Sequence, residues 1–112
     1  MINVIKRDGE KAEFSLVKIT EAIKKAFKAT GKDYNNEILE LLSLRVTADF
    51  QDKMHDGTVS VEQIQDSVEH VLEQTGYTDV AKAYILYRKQ REKIRNMKNT
   101  ILDYKDVVNS YV

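Results

Sequence analysis

The chain is 112 residues long, enough for one core and one domain, and its 18 lysines and arginines balance 18 aspartates and glutamates to a formal net charge of zero. That balance excludes the global basic field of a general nucleic-acid binder, so any anion site has to be local. Cysteine is absent, which excludes disulfides, thiolate catalysis and thiolate-ligated zinc or iron–sulfur centres, and no apolar run has membrane-spanning length or the form of a signal-peptide core. A cytoplasmic domain with neither a membrane nor a nucleic-acid partner is the expectation.

There is no proline and there are only four glycines, so punctuation is sparse. Val4-Ile5-Lys6-Arg7-Asp8-Gly9 ends a short apolar run in Asp-Gly, the strongest local hairpin signal, and Glu10 to Phe14 leads back. Ser15 stands where an N-cap would open a first helix, with Ile19, Ile23, Ala26 and Phe27 on one face and turn chemistry at Ala29 to Asp33. Asn35 or Asn36 caps a second helix, whose wide apolar face takes Ile38, Leu41, Leu42 and Leu44 to Val46 as far as about Met54. His55-Asp56-Gly57-Thr58 reads as a loop. Ser60 with Gln63 forms a capping box for a third helix carrying Val61, Ile64, Val68, Val71 and Leu72 inward. Gly76 ends it, and Thr78 caps a fourth helix through Val80, Tyr84 and Tyr87 into Arg91.

The expected fold is therefore α+β, mainly α: an N-terminal β-hairpin capping a four-helix bundle over residues 1–91. The remainder, 92–112, differs in character. Arg91 to Lys98 is dense with charge, and Thr100 to Val112 is loosely amphipathic through Ile101, Leu102, Tyr104, Val107 and Val108. No capping signal precedes Tyr111 and Val112, so this stretch reads as a helical exit toward a further domain. The alternative is a frayed terminus.

Lys6 and Arg7 on a stiff ribbon, with Lys18 on the opening turn of the next helix, suit a phosphate chain. The alternative is the solvated face of an edge hairpin, where charges are common. On the fourth helix Tyr84, Arg88, Arg91, Arg95 and Lys98 recur at helical spacing, a stacking surface followed by cations. The other reading puts Tyr84 in the core with the arginines lying over it. Glu62, Asp66, Glu69 and Glu73 form an acidic stripe that a solvated helix face explains. His55 and His70 have no ligand pattern, so no metal site is expected. No P-loop, dinucleotide fingerprint or nucleophile–base arrangement stands out, and no catalytic residue is assigned.

Four blocks together carry a resemblance. They are Val4-Ile5-Lys6-Arg7-Asp8-Gly9; Phe14 before a helix bearing Lys18-Ile19; Val59-Ser60-Val61-Glu62-Gln63-Ile64-Gln65-Asp66 with Val68-Glu69; and Val80-Ala81-Lys82-Ala83-Tyr84-Ile85-Leu86-Tyr87-Arg88. In order and spacing, from Ile2 to about Arg91, the chain resembles the ATP-cone domain. That resemblance implies a β-hairpin over a small helical bundle, placed at the N-terminus of ribonucleotide reductases. There it binds ATP or dATP as an activity switch on deoxyribonucleotide synthesis, ATP on and dATP off, in most cases through a change of oligomeric state or the disordering of a catalytic element. The same module follows a zinc ribbon in a repressor of reductase genes, and that reading falls with the missing cysteines. The stretch Lys89 to Arg95 resembles the exit from the cone in the anaerobic reductases that act on ribonucleoside triphosphates.

By resemblance, backbone at Val4 and Ile5 receives the adenine edge, Lys6 and Arg7 meet the phosphates, and Lys18 and Ile19 complete phosphate and base contacts. The fourth-helix cation falls at Arg91; Tyr84 and Arg88, placed on the same face by helical spacing, and Ser15 are counted with the nucleotide site. Some members carry a carboxylate where Ala12 stands, an Asn where Ser15 stands and a Thr where Val61 stands; Glu13 or Glu10 would have to replace the lost carboxylate. The partners implied are adenine nucleotides, with Mg2+ on their phosphates, a catalytic domain of the same polypeptide and other cones. The alternative function is a helical protein–protein interaction module without nucleotide binding.

Overall fold

A computed structural model describes residues 2–108, with side chains described through residue 98. The hairpin consists of β1 (Asn3–Ile5) and β2 (Lys11–Glu13). Its turn closes where the Lys6 carbonyl accepts from the Gly9 amide (2.9 Å), the Lys6 amide donates to the Glu10 carbonyl (2.7 Å) and Asp8 Oδ1 accepts from the Glu10 amide (3.0 Å). Gly9 sits at φ +89°, a conformation that only glycine adopts cheaply, which is why Asp-Gly marks the position.

The sheet has a third member that the sequence reading missed. His55 to Thr58 is a tight turn, with Asp56 at φ +52° and Gly57 at φ +73°, and it feeds β3 (Thr58–Ser60). This strand lies parallel to β1, Asn3 opposite Thr58 and Ile5 opposite Ser60, giving the order β2-β1-β3. Three residues between a turn and an N-cap are too few to show a period of two, so β3 has no local signature.

Helix α1 (Leu16–Thr30) buries Ile19, Ile23, Ala26 and Phe27, the four positions expected, and ends at Gly31 in the left-handed region. Ser15 occupies the N-cap in extended conformation, but its side chain makes no capping bond. Asn35 does cap α2 (Asn36–Phe50), its Oδ1 accepting from the Ile38 amide at 2.8 Å. The buried face of α2 is Leu39, Leu42, Ser43, Val46 and Phe50, whereas Leu41 and Leu44 are 55% and 57% exposed. The expected face was therefore displaced. Apolar residues nearly encircle this helix, and only packing against α1 and α3 selects which stripe goes inward. Ser43 is buried because its hydroxyl is satisfied, donating to the Leu39 carbonyl (2.7 Å) and meeting the Thr20 hydroxyl (2.9 Å).

A single 3-10 turn (Gln51–Lys53) follows α2. Helix α3 (Val61–Gln74) then opens with both halves of the expected capping box: the Gln63 amide donates to Ser60 Oγ (3.1 Å), and the Ser60 amide donates to Gln63 Oε1 (3.0 Å). Val68, Val71 and Leu72 are buried, while Val61 and Ile64 stay half-buried. Helix α4 (Thr78–Val108) buries Val80, Ala81 and Tyr84 and runs well past Arg91 without a break. The side chains of Thr100, Ile101, Leu102, Tyr104, Val107 and Val108, and all of Tyr111 and Val112, lie outside the described residues.

Helix α1 packs on α2 and α4, and α3 on α2 and α4. The hairpin is held over this bundle by Phe14, whose ring meets Phe50 edge-on with centroids 5.5 Å apart. Ser60→Ala removes half of the capping box at the β3–α3 joint and should cost about 1 kcal/mol in urea denaturation. Undiminished stability would mean that Gln63 and solvent hold that joint unaided.

Candidate functional site

Four pieces of chain converge on one opening: the hairpin, the first turns of α1, the start of α3 and the middle of α4. Strand alternation sends Val4 and Lys6 to the same side, while Ile5 faces away and lines neither cavity described here. On α1, Lys18, Ala22 and Lys25 fall on one stripe; on α4, Tyr84, Arg88, Arg91 and Arg95 do the same.

The result is two cavities in continuity. The first, about 230 Å³, is an apolar slot walled by Val4, Phe14, Ile19, Val61, Ile64 and Val68, with Glu13, Ser15 and Gln65 as its uncharged or acidic polar groups. The second, about 660 Å³, is a shelf lined by the cations Lys6, Arg7, Lys18, Lys25, Arg88, Arg91 and Arg95, with Glu21 as the carboxylate at its edge. Lys6, Lys18, Ala22, Val61, Gln65 and Tyr84 line both. Tyr84 is only 5% exposed, as the core reading of this residue expects, and its ring still lines both slot and shelf. Burial pushes its phenol above the usual range, which keeps it a neutral hydroxyl.

The cations are not equivalent. Arg88 Nη1 donates to Asp66 Oδ1 at 2.9 Å and to Glu69 Oε2, tying α4 to α3. Burial alone would lower this guanidinium's pKa, but the two carboxylates more than offset it and hold it above the ordinary value. Arg7 spans from the hairpin to α3, Nη1 reaching Glu62 Oε1 at 3.0 Å and Nη2 donating to Gln65 Oε1 at 3.2 Å. The stripe Glu62, Asp66 and Glu69 is thus more than a solvated helix face, as the sequence reading had it: three of its carboxylates are counter-ions of site arginines, and only Glu73 fits the earlier account.

The backbone of Val4 is also engaged. Hydrogen-bonded pairs alternate in an antiparallel ladder, and the bonds at Lys6–Glu10 and Ile2–Phe14 make Val4–Ala12 such a pair. Val4 therefore meets the slot as a side-chain wall, and the polar side chains lining it are Glu13, Ser15 and Gln65 together with Lys6, Lys18 and Tyr84, which it shares with the shelf. Glu10 is absent from both linings. Ala22, Lys25 and Gln65 were not singled out in sequence, and Ile64 and Val68 were read only as the inward face of the third helix; helical spacing from Lys18 through Ala22 to Lys25, and from Val61 to Ile64, Gln65 and Val68, was the available signal. Elsewhere, His70 Nδ1 meets Asp49 Oδ1 at 2.8 Å across α2 and α3, away from the opening. Among the described residues no group of three or more His, Asp or Glu side chains is arranged to hold a metal.

The model of the ATP cone domain family matches residues 2–93. The chain is 40% identical over 105 residues to the ribonucleoside-diphosphate reductase subunit alpha of Chlamydia pneumoniae, an alignment covering 88% of this chain and 10% of that protein. It is 35% identical over 109 residues to the anaerobic ribonucleoside-triphosphate reductase of Haemophilus influenzae, covering 88% of this chain and 14% of that protein. With the vitamin B12-dependent ribonucleoside-diphosphate reductase of Thermoplasma acidophilum the identity is 44% over 100 residues, covering 85% and 12%. The chain thus spans only 10% to 14% of the length of these relatives.

The unequal cations make a direct prediction. Arg88→Met should lower stability by about 1–2 kcal/mol, because Glu69 is left part-buried without its partner. Arg91→Met, at an exposed position, should stay within about 0.5 kcal/mol of the parent. Urea denaturation of both variants checks this, and equal effects would remove the distinction between clamp and open cation.

Proposed function

The chain belongs to the ATP cone domain family, and on that premise we propose that it binds adenine nucleotides across the slot and shelf as the allosteric domain of a ribonucleotide reductase. ATP cone domains of these enzymes bind ATP and dATP as effectors. The observation that carries the reading here is the continuity of an apolar slot with a cation-lined shelf through six shared residues. A base fits the slot, a triphosphate fits the shelf, and the sugar falls at Tyr84 and Gln65 between them. Lys6, Lys18 and Arg91 are the phosphate partners, joined by Arg7 once it leaves α3. Arg88 supports the wall rather than gripping the ligand.

Adenine suits this slot better than guanine. The walls are largely apolar, and guanine carries two exocyclic polar groups, a carbonyl and an amino group, where adenine carries one amino group, so guanine would lose more water without gaining partners. Mg2+ arrives on the phosphates, because the shelf lining offers one carboxylate, Glu21, and the carboxylates of α3 nearby, Glu62, Asp66 and Glu69, are already paired with arginines.

The finer assignment is to an anaerobic reductase acting on ribonucleoside triphosphates in the cytoplasm, supplying deoxyribonucleotides for DNA replication. The charge-rich exit from Lys89 to Arg95 supports it, and the similarity to the Haemophilus influenzae protein is compatible with it. The output surface is α4, where Leu86, Ile94 and Met97 are exposed and free to meet a catalytic domain of the same polypeptide or another cone. ATP and dATP would bias that surface toward different contacts.

Calorimetric titration tests the reading. ATP and dATP should bind far more tightly than GTP or CTP, and Lys6→Ala or Lys18→Ala should weaken ATP by about 1–3 kcal/mol without unfolding the chain. Comparable affinity for all four nucleotides would mean that the site holds phosphates alone. ATP incubated with the chain should release no phosphate, and steady turnover would overturn a purely regulatory role.

A further inference from the structure

We propose that Glu62 is a built-in counter-ion that occupies Arg7 in the empty site and must be displaced by the incoming phosphates, so that it sets the concentration at which nucleotide binds. This rests on the nucleotide reading given above. Arg7 lines the shelf, yet both of its terminal nitrogens are already engaged, Nη1 with Glu62 and Nη2 with Gln65. The planar fork that would grip a phosphate is the same fork that now grips α3, and it cannot serve both at once.

The two arginine–carboxylate pairs differ in how readily they open. Arg88 and Glu69 are each 22% exposed, and Asp66 adds a second carboxylate, so separating them strands part-buried charge. Glu62 is 50% exposed and stands in the first turn of α3, where the positive dipole end of the helix favours a carboxylate on its own. Glu62 therefore has compensation in place when Arg7 leaves it. The shelf contains one permanent pair and one exchangeable pair.

An exchange of this kind responds to anionic charge and ignores the base. Glu62→Gln keeps shape and hydrogen bonding while removing the charge, so it should tighten ATP binding by about twofold to fivefold, in line with the worth of a partly exposed ion pair. Adenosine, which carries no phosphate, should bind Glu62→Gln and the parent chain within about twofold of each other. Glu73→Gln, the same change at an exposed position three turns along the same helix, should leave ATP affinity unchanged. In an Arg7→Ala background the gain from Glu62→Gln should largely vanish, because there is no guanidinium to release.

The test is calorimetric titration of the 112-residue chain and these variants with ATP and with adenosine at one ionic strength. The proposal fails if Glu62→Gln binds ATP no more tightly than the parent, if Glu73→Gln gains as much, or if the gain persists without Arg7. No ATP binding by the parent chain would instead overturn the nucleotide reading, and this proposal with it.

Discussion

The parallel pairing of β1 with β3 is the constraint on which the site depends. Asn3, Val4 and Ile5 stand opposite Thr58, Val59 and Ser60, which joins the N-terminal hairpin to the first turn of α3 across more than fifty residues of intervening chain. Without that ladder the hairpin would hold to the bundle only through side chains: Phe14 against Phe50, Ile2 and Val4 against the core, and Arg7 on Glu62 and Gln65. With it, Lys6 and Arg7 come to rest beside Val61, Glu62 and Gln65, and a two-stranded ribbon of marginal intrinsic stability becomes the edge of a fixed sheet. Strand β1 is central, so its alternation of side chains is locked and Val4 and Lys6 must face the opening together.

Local charge follows from this arrangement although the chain as a whole is neutral. Seven cations line one shelf, and their mutual repulsion in the empty site is relieved by drawing three carboxylates of α3 onto two of them. One of those attachments is structural and sheltered, the other shallow and solvated. A domain built to sense an anion needs such a difference: enough pairing to remain folded when empty, and enough open charge to respond when the anion arrives.

Features that depend on a few adjacent residues were legible in the sequence. Asp8-Gly9 announced the hairpin, Ser60 with Gln63 announced α3, and Ile19, Ile23, Ala26 and Phe27 announced the inner face of α1. Features that arise only on packing were not. Strand β3 has too few residues to show a period; Leu41 and Leu44 are as apolar as Leu39 and Leu42, and only the neighbouring helices decide which pair is buried. For the site, helical spacing brought Tyr84, Arg88 and Arg91 to one face of α4 correctly. It could not show that Arg88 would be held by Asp66 and Glu69, because that contact joins two helices.

The central claim is that one ligand spans slot and shelf between the hairpin, α1, α3 and α4. Amide chemical-shift mapping of the isotopically labelled chain during titration with ATP tests it most directly. The account predicts the largest shifts at Val4 to Arg7, Ala12 to Ile19, Val61 to Gln65 and Tyr84 to Arg91, with the outer face of α2 around Leu41 and Leu44 unmoved. Shifts concentrated on α2, or confined to the arginines of α4 with the hairpin silent, would contradict it.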